Sequence, residues 1–364
     1  MKLSAKAAIM EELRLLCQCG VGLEAIASPF CDAVRRLTGA DAAALFWHDE
    51  RGIVGFCHDR APDELRELFI GRFEELFASP ADDAMHDWLL NAPETIGACL
   101  NVPPRFFTSA NFKMLIEPCG HHWPFDCRVV IDGATRATLF LYNPLDRPFD
   151  ASYIALLCPV QGLMRRAIVR RNADARWQAE PAAGGTLITD ASGRRIVAIA
   201  PAVQTLFARC QMRLIDKSIV GATVRAPAFV LALAQQLDRS EPACLHFGVL
   251  GGQVAATAEP MLPADGEARL IAVHVGFERS VEVGCVERLL ALPLTPLQRE
   301  IGLHAMLGGS RADCPAHFGI SDEAFKKHLK SLYKATGTER WSDLCAGAAG
   351  APAATRPLRR GSAA

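Results

Sequence analysis

The sequence predicts a multidomain α+β chain: α/β regions first, then an all-α C-terminal domain of four short helices. Three observations carry this. At 364 residues the chain is longer than one hydrophobic core serves, which implies about two or three domains. Helical periods alternate with paired strand patterns over residues 4–171 and again over 186–285. Beyond residue 286 the strand patterns stop, and only helix starts and helical spacing remain. Half of the residues are hydrophobic and 22% are charged, the balance of a folded chain.

The first region, residues 4–171, opens with helical stretches at 5–17 and 23–37. Ala42-Ala-Ala-Leu-Phe-Trp-His-Asp-Glu-Arg-Gly-Ile-Val-Gly-Phe-Cys57 then makes two strand-like runs around a turn at Asp49 to Gly52. Helical patterns follow at 63–77 and 108–116. Arg128-Val-Val-Ile131, the turn Asp132-Gly133 and Leu139-Phe-Leu-Tyr142 form a second hairpin. From Asp150 a long helix should run through Leu163 and Ile168, broken or bent near Pro159.

Residues 172–185 are rich in Ala, Gly and Pro and read as a linker. Next, residues 186–285 hold a strand, an Asp-x-x-Gly turn (Asp190 to Gly193), a strand and a helix. A helix at 228–237 and strands at 245–250, 253–258 and 269–277 complete them, with Gly251-Gly252 as a hairpin turn. A connector helix is expected at 286–292, within the C-terminal domain at 286–349. The last residues, 350–364, read as a disordered tail whose Arg356, Arg359 and Arg360 could add phosphate contacts.

The chemistry concentrates in that C-terminal domain. Thr295 is a good N-cap, Pro296 suits the first helical position, and Gln298 completes a capping-box pattern. Ser321 starts another helix, with Asp322 and Glu323 in the first turn, where acid favours the helix dipole. Phe325, Leu329, Leu332 and Tyr333 then fall on one apolar face. Lys327, Lys330 and Lys334 lie roughly opposite, with Lys326 on the flank. One side packs and the other presents ammonium groups, as a helix in a DNA major groove requires. The same lysines would also suit a solvated face on an ordinary amphipathic helix.

The order of motifs decides between these. Leu294-Thr-Pro-Leu-Gln-Arg-Glu-Ile301 is followed by Phe318-Gly-Ile-Ser-Asp-Glu-Ala-Phe-Lys-Lys-His-Leu-Lys-Ser-Leu-Tyr-Lys-Ala-Thr-Gly337. This resembles the helix-turn-helix of LuxR-type transcription regulators, collinear from Leu294 to Arg340. The resemblance implies duplex DNA as partner, with Lys326, Lys327 and Lys330 at the major groove. It places Lys334, His328 and Ser321 nearer phosphates, and implies a homodimer paired through the region after Arg340, including Leu344. The chain departs from the family at Gln298, Gly302, residues 311–315, Ala324 and Thr336. Pro315 falls where the first helix of the pair should run, at a cost of about 3 kcal/mol in a helix interior, so that helix is expected to be short, kinked or ended early. Gly302 should weaken the helix before it.

Residues 4–171 resemble a GAF domain, chiefly through the strand pair, the Pro144-to-Phe149 loop and the closing helix. Residues 186–285 resemble a PAS domain. Unrelated α+β modules are the alternative for both. The resemblances imply sensory domains controlling the DNA reader through an unknown small-molecule effector.

Charge bounds the DNA reading. The net charge is −1, so any affinity must come from a local patch. Even Leu294 to Leu344 is nearly balanced. Arg299, Arg311, Lys326, Lys327, Lys330, Lys334 and Arg340 face Glu300, Asp313, Asp322, Glu323, Glu339 and Asp343. One copy should bind weakly and with strong salt dependence, which favours a dimer.

The 13 cysteines are scattered and read as reduced thiols. Cys119-Gly-His-His-Trp-Pro-Phe-Asp-Cys127, with Cys57-His58, is the sharpest cluster of soft ligands, yet its spacing matches no common zinc module. His121 and His122 should point opposite ways on a strand. A redox thiol at Cys119 is a further alternative. No cofactor or metal is expected, and no catalytic motif stands out: no P-loop, G-x-S-x-G or H-E-x-x-H occurs. No apolar run reaches about 18 residues, and the first residues lack the pattern of a secretory leader, so a cytoplasmic protein without a membrane span is expected. The expected function is a ligand-responsive, DNA-binding regulator rather than an enzyme. The alternative is a sensor-interaction protein whose degenerate helix-turn-helix serves dimerisation or partner docking.

Overall fold

Two antiparallel sheets and a set of helices make a mixed α/β chain that divides into two units, Met1–Ser280 and Val281–Ala364. The computed structural model describes residues 5–49, 52–60, 88–89, 91–109, 112–210, 227–237, 243–262 and 269–346. The helix expected at 63–77 and the tail at 350–364 lie outside these residues.

The first unit begins with α1 (Ala5–Gln18) and α2 (Leu23–Thr38). Two hairpins follow, β1 (Ala42–Asp49) with β2 (Gly52–His58) and β3 (Trp123–Ile131) with β4 (Ala134–Asn143). They join in the order β2-β1-β4-β3. The turn between β3 and β4 uses positive φ at Asp132 and Gly133, as the sequence required. Strand alternation sorts the side chains. Leu45, Cys57, Leu139 and Cys127 sit in register and are buried towards α2 and α3 (Ser152–Val169). The other face carries Phe46, Phe56, Phe140 and Tyr142 in an aromatic layer.

A second sheet runs β6-β5-β9-β8-β7, antiparallel throughout. Its strands are β5 (Trp177–Asp190), β6 (Ile196–Ile199), β7 (Ala243–Val249), β8 (Gly252–Met261) and β9 (Leu270–Ser280). Helices α4 (Pro201–Arg209) and α5 (Ala228–Gln236) complete a core of Leu187, Val203, Phe207, Val230, Leu233, Val254, Val273 and Phe277. The two sheet regions meet at Glu24. Its buried carboxylate takes a 2.6 Å ion pair from Arg171, and its carbonyl accepts the Gly251 N–H at 3.0 Å. A side chain at Gly248 would collide with Glu24, so this strand position needs glycine for space.

Several local expectations need correction. The segment 172–185 is not a linker throughout, because β5 starts at Trp177 and pairs with β9, with an irregularity between Ala179 and Gly184 where Ala182 takes a positive φ of 64°. Small residues suit a close strand crossing as well as a linker: a Cβ on Gly184 would strike the Val275 carbonyl of β9. Helix α3 runs through Pro159 without interruption, where the exposed ring replaces an N–H on the solvent side. Instead of one helix at 108–116 there is a 3-10 turn, Pro104–Thr108, and a π turn, Phe112–Ile116.

The second unit is helical among its described residues: α6 (Val281–Leu290), α7 (Pro296–Met306), α8 (Cys314–Phe318), α9 (Asp322–Thr336) and α10 (Trp341–Ala346). The connector expected from 286 starts at Val281, directly after β9. Gly302 is buried in α7. A Cβ there would come within 2.8 Å of Leu289 Cδ2 on α6 and 3.3 Å of Leu332 Cδ1 on α9. The glycine that lowers helix propensity is therefore the point where three helices close. Gly302→Leu should destabilise this unit by about 1–3 kcal/mol through overpacking, despite better helix propensity. Chemical denaturation of the two proteins checks it, and a gain in stability would refute the packing argument.

Candidate nucleic-acid interface

Local sequence sets up the helix pair. Thr295 Oγ1 accepts the Gln298 N–H at 3.4 Å, and Gln298 Oε1 accepts the Thr295 N–H at 2.9 Å. This is the expected capping box, and it anchors the start of α7. Helix α8 is only five residues long, with Pro315 in its first turn, where a missing N–H costs least. Gly319 ends it in the left-handed conformation at φ 63°, and the Ile320 N–H returns to the Pro315 carbonyl at 3.0 Å. Ser321 then caps α9, its hydroxyl accepting the Ala324 N–H at 3.2 Å.

Along α9 the two faces separate as the spacing demands. Phe325, Leu329 and Leu332 are buried. Lys326, Lys327, Lys330 and Lys334 are exposed, while His328 and Tyr333 are half-buried. The structure therefore groups all the sequence-derived candidates on one helix and its cap, with Ser321 exposed at the N-terminal end. Asp322 and Glu323 are exposed there too. They stabilise the helix dipole but would repel a phosphate.

Two residues were less legible. Trp341 of α10 donates from Nε1 to the Gly309 carbonyl at 3.1 Å and packs 6.2 Å from Phe325, supporting α9 from behind. Its only sequence signal is a tryptophan next to Arg340. Arg311 is exposed just before α8, and its charge opposes the burial that pushes the Tyr333 phenol up. Sequence gave it only as one cation in a count. It lies beside α9 and adds a positive charge to that neighbourhood. His304 and His317 also lie with ring centroids 5.0 Å apart, an arrangement that spacing did not announce.

In the first unit, His121 and His122 do diverge. His121 is buried, with Nε2 3.0 Å from Asp41 Oδ2, and stacks on Tyr142 at 5.6 Å. His58 joins the stack, 5.8 Å from Tyr142. His122 instead stacks on Phe107 at 4.7 Å. Burial pushes the half-buried Cys119 thiol up, the opposite of what a reactive thiolate needs. Cys127 and His121 are buried at this loop, while Cys119 and His122 are half-buried. Among the described residues no group of three or more His, Cys, Asp and Glu is placed to hold a metal, and no disulfide forms. No described helix is long and apolar enough to cross a membrane.

Comparison with known proteins adds little. No family model matches the chain, and no curated protein matches it. One similar solved structure is the sensor region of a sensor histidine kinase, 14% identical, covering 77% of this chain and 94% of that one. Its TM-score of 0.18 carries no argument about fold or function.

Burial holds the His121 imidazole below its ordinary range, with Asp41 partly opposing. A lowered folded-state pKa means the unfolded chain binds the proton better. The contribution of His121 is therefore complete above the unfolded value of about 6.5 and declines as pH falls below it. The chain should lose thermal stability between about pH 7.5 and 5.5 more steeply than His121→Gln. Equal slopes in the two melting series would show that this histidine does not titrate with unfolding.

Proposed function

We propose that this chain is a ligand-responsive, DNA-binding transcription regulator of the LuxR type, reading duplex DNA through α9 as a homodimer. The observation that supports it most is the division of α9, capped at Ser321 and preceded by the α8–Gly319 turn. One side carries buried Phe325, Leu329 and Leu332, and the other carries four exposed lysines. In this reading Lys326, Lys327 and Lys330 reach base edges, and Lys334, His328 and Ser321 lie nearer phosphates. Arg311 extends the cationic surface. The first unit is then the sensory region, GAF-like over its four-stranded sheet and PAS-like over its five-stranded sheet. Its effector is a small molecule of unassigned chemistry.

A second reading draws on the five-residue α8 and the exposed Asp322 and Glu323. Here the helix pair has lost DNA and serves as a docking or dimerisation module in a sensor-interaction protein. Salt dependence separates the two. A DNA reader loses affinity as salt rises, with log K falling by about 0.9 per phosphate neutralised. A docking module shows no such binding at any sequence.

Selection of genomic fragments on the purified chain, followed by sequencing, tests the first reading. The Lys327→Ala/Lys330→Ala double variant should lose the enriched site, at about 1–3 kcal/mol per lost base contact. Retention of the same site by the variant would remove α9 as the recognition helix.

A further inference from the structure

The lysine face of α9 carries one residue of the opposite charge. Counted at about 100° per residue from the buried Phe325, Glu323 falls about 160° round the helix. Lys330 falls at about 140°, Lys334 at about 180° and Lys327 at about 200° on the same count. Glu323 therefore stands within the cationic ridge, one turn nearer the N-terminus than Lys327, and it is exposed. Asp322 falls at about 60°, on the flank of the buried stripe. Acid in the first turn favours the helix dipole, and Asp322 supplies that without entering the ridge. Glu323 makes no hydrogen bond or ion pair among the described residues, although Lys326 and Lys327 follow it at the three- and four-residue spacing that permits one. Its carboxylate is open to a group outside the chain.

The major groove limits what that group can be. When a helix-turn-helix docks, the N-terminal part of its second helix meets the base edges. In α9 that part holds Glu323, Lys326 and Lys327. A carboxylate is repelled by phosphate and only accepts hydrogen bonds, so it needs a donor on the groove floor. Guanine shows only acceptors there, and thymine shows an acceptor and a methyl group. Adenine sets its N6 donor beside the N7 acceptor, which opposes the second carboxylate oxygen. Cytosine shows its N4 amino donor with no acceptor beside it on the same ring edge, and it is the base a glutamate pairs with. The lysines around Glu323 offset the repulsion between its charge and the phosphates lining the groove.

We propose that Glu323 is a specificity-determining residue that selects a C·G pair in each half-site, its carboxylate accepting a hydrogen bond from the cytosine N4 amino group. This rests on α9 being the recognition helix, and it fixes one base that the helix prefers. The acid then has a role in a DNA reader, whereas a docking module would carry it as a mark of lost DNA binding.

Selection of duplexes from a random-sequence library on the purified full-length chain, followed by sequencing, reads the preference directly. The wild type should enrich a site with C at one fixed position and bind duplexes altered there about tenfold or more weakly. Glu323→Gln should turn that position to A, because a glutamine amide pairs with adenine N6 and N7, and leave the rest of the site as it was. Glu323→Ala should accept all four bases there. A purely structural role, through the helix dipole, would instead change binding alike at every sequence and keep the preferred base. That uniform change, or a site identical at every position in the wild type and both Glu323 variants, would overturn the proposal while leaving α9 as a reader if the Lys327→Ala/Lys330→Ala variant loses the site. No enriched site with the wild type or either Glu323 variant would sink the DNA reading itself, and this preference with it.

Discussion

The close approach of α6, α7 and α9 at Gly302 is the contact on which the candidate interface depends. Leu289 and Leu332 fill the space where a side chain would stand. That contact draws the buried stripe of α9 inwards, so the opposite stripe of lysines has to face out. The capping box at Thr295 and the cap at Ser321 fix where α7 and α9 begin. With starts fixed and one face buried, the rotation of α9 about its own axis is set. Trp341 packs behind Phe325 and holds the same rotation from the far side.

A similar logic of small residues runs through the first unit. Gly184 lets β5 lie against the Val275 carbonyl, and Gly248 leaves room for the buried Glu24 side chain. Glu24 joins α2, Arg171 and the turn at Gly251, tying the two sheet regions by an ion pair and a backbone hydrogen bond. Glu24 is the buried member and Arg171 is largely exposed, so it is loss of Arg171 that would leave a buried carboxylate without its ion-pair partner. The aromatic layer of Phe46, Phe56, Phe140 and Tyr142, extended by His58 and His121, gives the four-stranded sheet a second face of quite different chemistry from its aliphatic helix side.

The misread segments share one cause. Composition reports what a residue permits, and the same permission serves different structures. Ala and Gly at 172–185 suit a linker, and equally a strand that passes close to its neighbour. Pro159 ends a helix whose missing hydrogen bond cannot be spared, yet α3 tolerates it on the solvent side. Gly302 weakens an isolated helix and strengthens a packed one. Propensity is a local free energy of about 1 kcal/mol, and a close contact outweighs it.

The sequence by itself determined the capped starts of α7 and α9, both hairpins of the first sheet, the strand–helix order of the second and the split of α9 into apolar and lysine faces. Each is encoded by neighbours a few residues apart, through caps, turn glycines and periodicity. Only the tertiary structure decided which strands adjoin, why Gly302 and Gly184 must be glycine, and where Trp341 and Arg311 lie relative to α9. These depend on residues far apart in the chain, whose encounter is set by packing a core, and a linear pattern carries no record of it.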